Sequence, residues 1–140
     1  MPDFFFQRFR ANQWDEGLLL EHPSCGYALG VYYRDNKQYK KAIEYFDKVI
    51  GIDKYHIEAN INISQIYLEG WGVEINPDKA IIYLNNIIEV ASENINVIIN
   101  LATAYLKKEN YDLVTKYYQK AARLGHTDIQ NILKKKGIEW

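Results

Sequence analysis

YLEGWGVEINPDKAIIY, Tyr67 to Tyr83, breaks a chain that otherwise reads as helix. Two glycines, a tryptophan and a proline fall inside it. Gly70 and Gly72 can supply the positive φ at which a helix ends. Asn76 can cap a following helix, Pro77 suits its first position, and Asp78 suits the positive end of its dipole. The stretch therefore predicts a turn between two helices, a structural hairpin in preference to a ligand loop. Trp71 is expected to cover the exposed end of that helix pair.

The same pair recurs on either side. Three segments align, beginning at Cys25, Ala59 and Val97. Four residues later come Leu29, Ile63 and Leu101, each followed by a small residue, Gly30, Ser64 or Ala102. Four further on is a tyrosine, Tyr33, Tyr67 or Tyr105. This is the stripe of an amphipathic helix, and the small residue lets a neighbour approach closely. A second stripe follows in each unit: Ala42, Phe46, Val49; then Ala80, Leu84, Ile87; then Val114, Tyr118, Ala121. Leu29 and Ile63 are 34 residues apart, and Ile63 and Leu101 are 38 apart. The four extra residues lie between Tyr67 and Ala80, so the opening stretch is a lengthened turn. The other two turns, RDNKQY and KKENY, are short and polar. Neither helix of a pair can bury its stripe alone, and stacked pairs make one continuous core.

Composition agrees. The chain has 140 residues, one domain's worth, with only 3 prolines and 8 glycines, which suits an all-α fold. Its net charge of -1 supplies no bulk field toward nucleic acid or a membrane. The charge is uneven, though. Residues 42–93 hold nine acids and three bases, while 107–136 hold eight bases and three acids. Two solvated faces explain this more simply than steering of a partner. The single cysteine, Cys25, excludes an internal disulfide and is expected to be a buried thiol. MPDFFFQRFR lacks the form of a secretory signal, and no apolar run reaches the roughly 18 residues of a membrane span, so a cytoplasmic protein is expected.

No pattern for chemistry emerges. His22, His56 and His126 lie in separate units, with turn or helix-end roles expected, and no His-x-x-x-His or Cys-x-x-Cys spacing exists. Asp15 and Glu16 are adjacent and would diverge on a helix. We expect no catalytic residues, no metal and no cofactor.

The three units resemble the tetratricopeptide-repeat superfamily, mixing tetratricopeptide and Sel1-like repeats. The first has Leu29-Gly30, Tyr33, Ala42 and Phe46 in tetratricopeptide register, with Val49 in place of the usual small residue, Lys54 in place of the usual proline, and Gly26 where tryptophan is usual. The second resembles the Sel1-like pattern through Ala59, Tyr67, Gly70, Gly72, Val73, Lys79 and Ala80. The third ends as Sel1-like repeats do, in YYQKAARLGHTD, but has a short turn. The resemblance implies an α-solenoid of three helix-turn-helix repeats at about 23–56, 57–94 and 95–128, within a domain spanning 22–140. Residues 129–140 would form a C-terminal capping helix, with Ile129 and Leu133 in stripe positions. The aromatic segment 1–21, with Phe4, Phe5, Phe6, Phe9 and Trp14, would pack on the first repeat, or act as a self-association or partner arm.

Function also follows from the resemblance. First helices of such repeats line a concave face that binds a peptide or a protein partner. The family's partner-facing positions fall here on Tyr27, Val31 and Arg34, on Ile61, Asn62 and Gln65, and on Asn96, Ile99, Asn100 and Thr103. Amides among apolar anchors suit a peptide backbone. Only Asn62 matches the repeats that clamp chaperone carboxyl termini. A non-catalytic interaction module is therefore expected. The alternatives are a bacterial immunity-type protein that neutralises a cognate toxin and, less favoured, an enzyme with a site assembled from several repeats.

Overall fold

The computed structural model describes residues 22–140, so the aromatic segment 1–21 lies outside the described residues. Seven helices and no strand are found among the described residues. They are α1 (Pro23–Asp35), α2 (Tyr39–Ile52), α3 (Ile57–Glu69), α4 (Pro77–Ile87), α5 (Ile95–Lys107), α6 (Tyr111–Arg123) and α7 (Thr127–Lys135). The pairs α1–α2, α3–α4 and α5–α6 are helical hairpins. Each second helix also packs on the first helix of the next unit, and α3 packs on α5. The protein is an all-α solenoid.

Local chemistry sets the helix starts. The Asn76 side chain accepts from the Lys79 N–H at 3.0 Å, and Asn110 accepts from Leu113 at 3.2 Å. Asn94 accepts from the N–H groups of Asn96 and Val97. His56 and His126 do the same work through Nδ1, accepting from Ala59 and Ile129. Two of the three histidines are thus helix caps, as their turn positions suggested; His22 makes no such bond. Each cap satisfies a backbone donor that the helix cannot.

One backbone bond recurs in every hairpin. The residue before the second helix donates its N–H to the carbonyl of the tyrosine near the end of the first: Gln38 to Tyr33 at 2.8 Å, Asn76 to Tyr67 at 2.9 Å, Asn110 to Tyr105 at 2.9 Å. The two short turns reach it by placing Lys37 and Glu109 at φ 59° and 57°. The long turn uses Gly70 and Gly72 at φ 69° and 63° to accommodate its four extra residues. Trp71 reaches beyond its own hairpin. It packs on Tyr39 at the start of α2, with ring centroids 5.6 Å apart. A Cβ on Gly72 would come within 3.2 Å of the same ring, so the long turn grips the preceding repeat.

The core runs the length of the stack through Leu29, Phe46, Ile63, Leu84, Ile87, Val97 and Leu101, all at most 2% exposed. Gly30, Ser64 and Ala102 are buried, as small contact residues should be. A Cβ on Gly30 would lie 2.4 Å from the buried Phe46 ring. Cys25 differs from expectation and is only half-buried, although Ala59 and Val97 at the same register of α3 and α5 are fully buried. Beyond the third hairpin, α7 lays Ile129 and Leu133 onto Ile98, Ala121 and Ala122.

A stacked tyrosine pair joins the two helices of every repeat. Tyr33–Tyr45, Tyr67–Tyr83 and Tyr105–Tyr117 have centroids 5.3, 6.2 and 5.8 Å apart and nearly parallel planes. Lys41 and Lys79 sit over the first-helix rings of the first two pairs, at 5.2 and 5.1 Å. Leu113 holds the corresponding register in the third, so no cation is available there. Each pair adds about 0.5–1.5 kcal/mol beyond the area it buries. The Tyr83 hydroxyl also donates to Asp47 on α2 at 2.8 Å, tying one repeat to the next. Burial pushes the Tyr83 phenol well above its usual range, and the bond to Asp47 adds to that. Burial likewise raises Tyr45 and Tyr117.

Two outcomes follow from this packing. Gly30→Ala has no free space to enter and should lower the unfolding free energy by about 1–3 kcal/mol, read as a fall in the urea midpoint. The raised phenols stabilise the fold fully below the unfolded tyrosine pKa of about 10 and less as pH climbs past it, because the unfolded chain then loses protons that the folded chain keeps. The urea midpoint should hold steady to about pH 9.5 and decline above about pH 10, with a shallower decline in Tyr83→Phe.

Candidate functional site

The ten residues expected to meet a partner lie on the first helices α1, α3 and α5, of which α3 and α5 pack on each other. The structure divides the ten into two groups. One group is engaged within the protein. Asn62 is only 8% exposed; its amide donates to the Glu58 carbonyl at 2.7 Å, and its oxygen accepts from Arg34. Arg34 also holds Asp35 in an ion pair of 2.9 Å. Tyr27 packs between Phe46 and His56, with centroids 5.8 and 5.2 Å away. The Thr103 hydroxyl returns to the carbonyl of Ile99 at 2.9 Å. Asn100 donates to the Ser64 hydroxyl at 3.4 Å, a long bond.

The second group is available. Gln65 and Asn96 are exposed, and neither side chain has a hydrogen bond among the described residues. Val31, Ile61 and Ile99 are half-buried and offer apolar area on the same first helices. Leu106, at the end of α5, adds an anchor that is 45% exposed. This combination can pair with a peptide backbone through two amides and seat side chains between aliphatic groups.

Sequence reasoning missed a polar residue that holds the face together. Asn60 is fully buried. Its amide donates to the carbonyls of Lys54 and His56 at 3.0 and 2.9 Å, and its oxygen accepts from Asn86 on α4 at 3.0 Å. It welds the inter-repeat loop, α3 and α4 into one unit. The only signal for it in the sequence is an amide beside the small Ala59 at the start of a stripe, which is too common to act on. No buried side-chain nitrogen or oxygen among the described residues lacks a partner.

Elsewhere the surface formed by the described residues includes open clefts. One, of about 650 Å³, lies under the long turn between Lys40 and Lys79, with Tyr67 and Asn76 in its wall. Another, of about 420 Å³, is lined by residues 108–112 at the third turn. Neither gathers a nucleophile, base and orienting group. No cluster of three or more His, Cys, Asp or Glu among the described residues could hold a metal ion. No described helix is long and apolar enough to cross a membrane.

Comparison with protein families places names on the three hairpins. The tetratricopeptide repeat model matches residues 27–56 and again 95–124. The Sel1 repeat model matches 57–86, the segment that contains the glycine turn. The matches fall on α1–α2, α5–α6 and α3–α4 in turn, the same units that the Tyr33, Tyr67 and Tyr105 hairpin bonds define. The chain belongs to the tetratricopeptide-repeat superfamily, as a tandem in which one Sel1 repeat stands between two tetratricopeptide repeats.

Proposed function

We propose that the protein is a non-catalytic interaction module that holds a peptide segment of a protein partner across α3 and α5. Tetratricopeptide and Sel1 repeats mediate protein–protein interaction, and that supports the class. The observation that carries the site is that Gln65 on α3 and Asn96 on α5 are exposed with unused amides, and that the same two helices carry Ile61, Ile99 and the exposed Leu106. A peptide laid there would gain hydrogen bonds at no cost to the fold, because neither amide has to leave an internal partner first. Asn62, Arg34 and Thr103 would support the face from behind, since each must break an internal bond to reach a ligand.

The division of roles is testable by comparing binding with stability. Full-length protein immobilised and exposed to lysate of its source cells should retain a partner that the triple variant Gln65→Ala, Asn96→Ala, Leu106→Ala loses by about tenfold or more. Equal recovery by the triple variant would remove this face as the main site. Stability should respond in the opposite sense. Asn62→Ala removes two bonds from a buried amide and should cost about 1–2 kcal/mol by urea unfolding. Gln65→Ala should stay within about 0.5 kcal/mol of the parent.

A further inference from the structure

Ile52, Val90 and Leu124 occupy one register of the three repeats, ten residues after Ala42, Ala80 and Val114. All three are exposed, at 38%, 57% and 42%. They stand at or just beyond the ends of the second helices, on the edge of the stack opposite the hairpin turns. Single exposed aliphatic residues are ordinary. Here the same register repeats, so the stack carries a line of apolar groups along one edge.

Charge along this line is divided by repeat. Val90 has Glu89 beside it and Glu93 three residues on. Leu124 has Arg123 beside it and Lys120 one turn back. None of these four charges has an ion-pair partner among the described residues. At Ile52 the pattern lapses: Gly51 stands where Glu89 and Arg123 stand in the other repeats, and Lys48 is paired with Glu44 at 3.7 Å. The acidic and basic patches are therefore neighbours, on the second and third repeats only.

We propose that a second copy of this chain covers this edge, related by a two-fold axis that passes between Val90 and Leu124. Val90 then meets the partner subunit's Leu124, and Leu124 meets the partner subunit's Val90. Glu89 and Glu93 face the opposite charges of the other copy, and the two-fold makes every contact twice. The parallel arrangement would set acid on acid and base on base, so charge selects the antiparallel one. The interface lies off the face formed by α3 and α5, and it stands or falls independently of the peptide-binding reading.

Sedimentation of the full chain tests the pairing. The parent should show a reversible monomer–dimer equilibrium with a midpoint on the order of 10 µM, weakened about tenfold in roughly 0.5 M salt, where the Debye length falls to a few ångströms. One variant, Glu89→Lys with Glu93→Lys, makes the edge wholly basic; another, Lys120→Glu with Arg123→Glu, makes it wholly acidic. Each alone should associate at least about tenfold more weakly, and an equimolar mixture should restore association to within about threefold of the parent. That recovery also shows that both variants are folded. A parent that stays monomeric to about 200 µM overturns the proposal. So does a dimer that neither double variant weakens, which would place self-association elsewhere, or a mixture that does not recover.

Discussion

The bond from the N–H before each second helix to a tyrosine carbonyl of the first governs how this chain stacks. It fixes where the second helix starts relative to the first, whatever lies between them. Five residues separate donor and acceptor in the first and third repeats and nine in the second, yet the bond lengths agree within 0.1 Å. The apolar stripes therefore meet at one register in all three hairpins. With the register set, small residues fall where helices come closest, and tyrosines fall opposite tyrosines. The long turn is free to do something else, and Trp71 uses it to hold the preceding repeat. Lys37 and Glu109 show the strain the short turns accept in order to keep the bond, since left-handed backbone costs a residue other than glycine about 1 kcal/mol.

Much of this was legible because it is periodic. Stripe spacing placed Leu29, Ile63 and Leu101 in the core, and they are there. Glycine and asparagine in the long turn announced left-handed backbone and a cap, because those residue types are chosen for local geometry. Contacts between elements were not legible in the same way. Periodicity says that Tyr33, Tyr67 and Tyr105 face inward, but not that Tyr45, Tyr83 and Tyr117 stack on them, which depends on the hairpin crossing. Trp71 was read as a lid on its own pair because nothing in the local sequence points it toward Tyr39, more than thirty residues earlier.

The partner-facing positions show the same limit at higher stakes. Asn62, Asn100 and Ile132 share a register, yet Asn62 is buried, Asn100 half-buried and Ile132 exposed at 40%. The cause lies in the neighbouring repeats. Arg34 reaches from α1 to hold Asn62. Leu68, at the register of Arg34, is 1% exposed with a whole hairpin beyond it, whereas Leu106 has only the nine-residue α7 beyond it and stays 45% exposed. A position list treats repeats as equivalent. In a short stack each repeat has different neighbours, so the same register is structural in one repeat and available in the next.

That inequality also explains where the surface remains unfinished. Along the stacking direction, α7 covers part of the third repeat: it buries Ile129 and Leu133, turns Asp128, Asn131, Lys134 and Lys135 outward, and places its lysines at the negative end of its dipole. Nothing comparable can close the edges. They run across the stacking direction, and every repeat adds its loop to them whether or not another repeat follows. An apolar residue at a fixed loop register therefore accumulates with repeat number, as Ile52, Val90 and Leu124 do, while a helix added at the end covers none of them. An apolar line along such an edge needs either polar loops or another molecule to cover it.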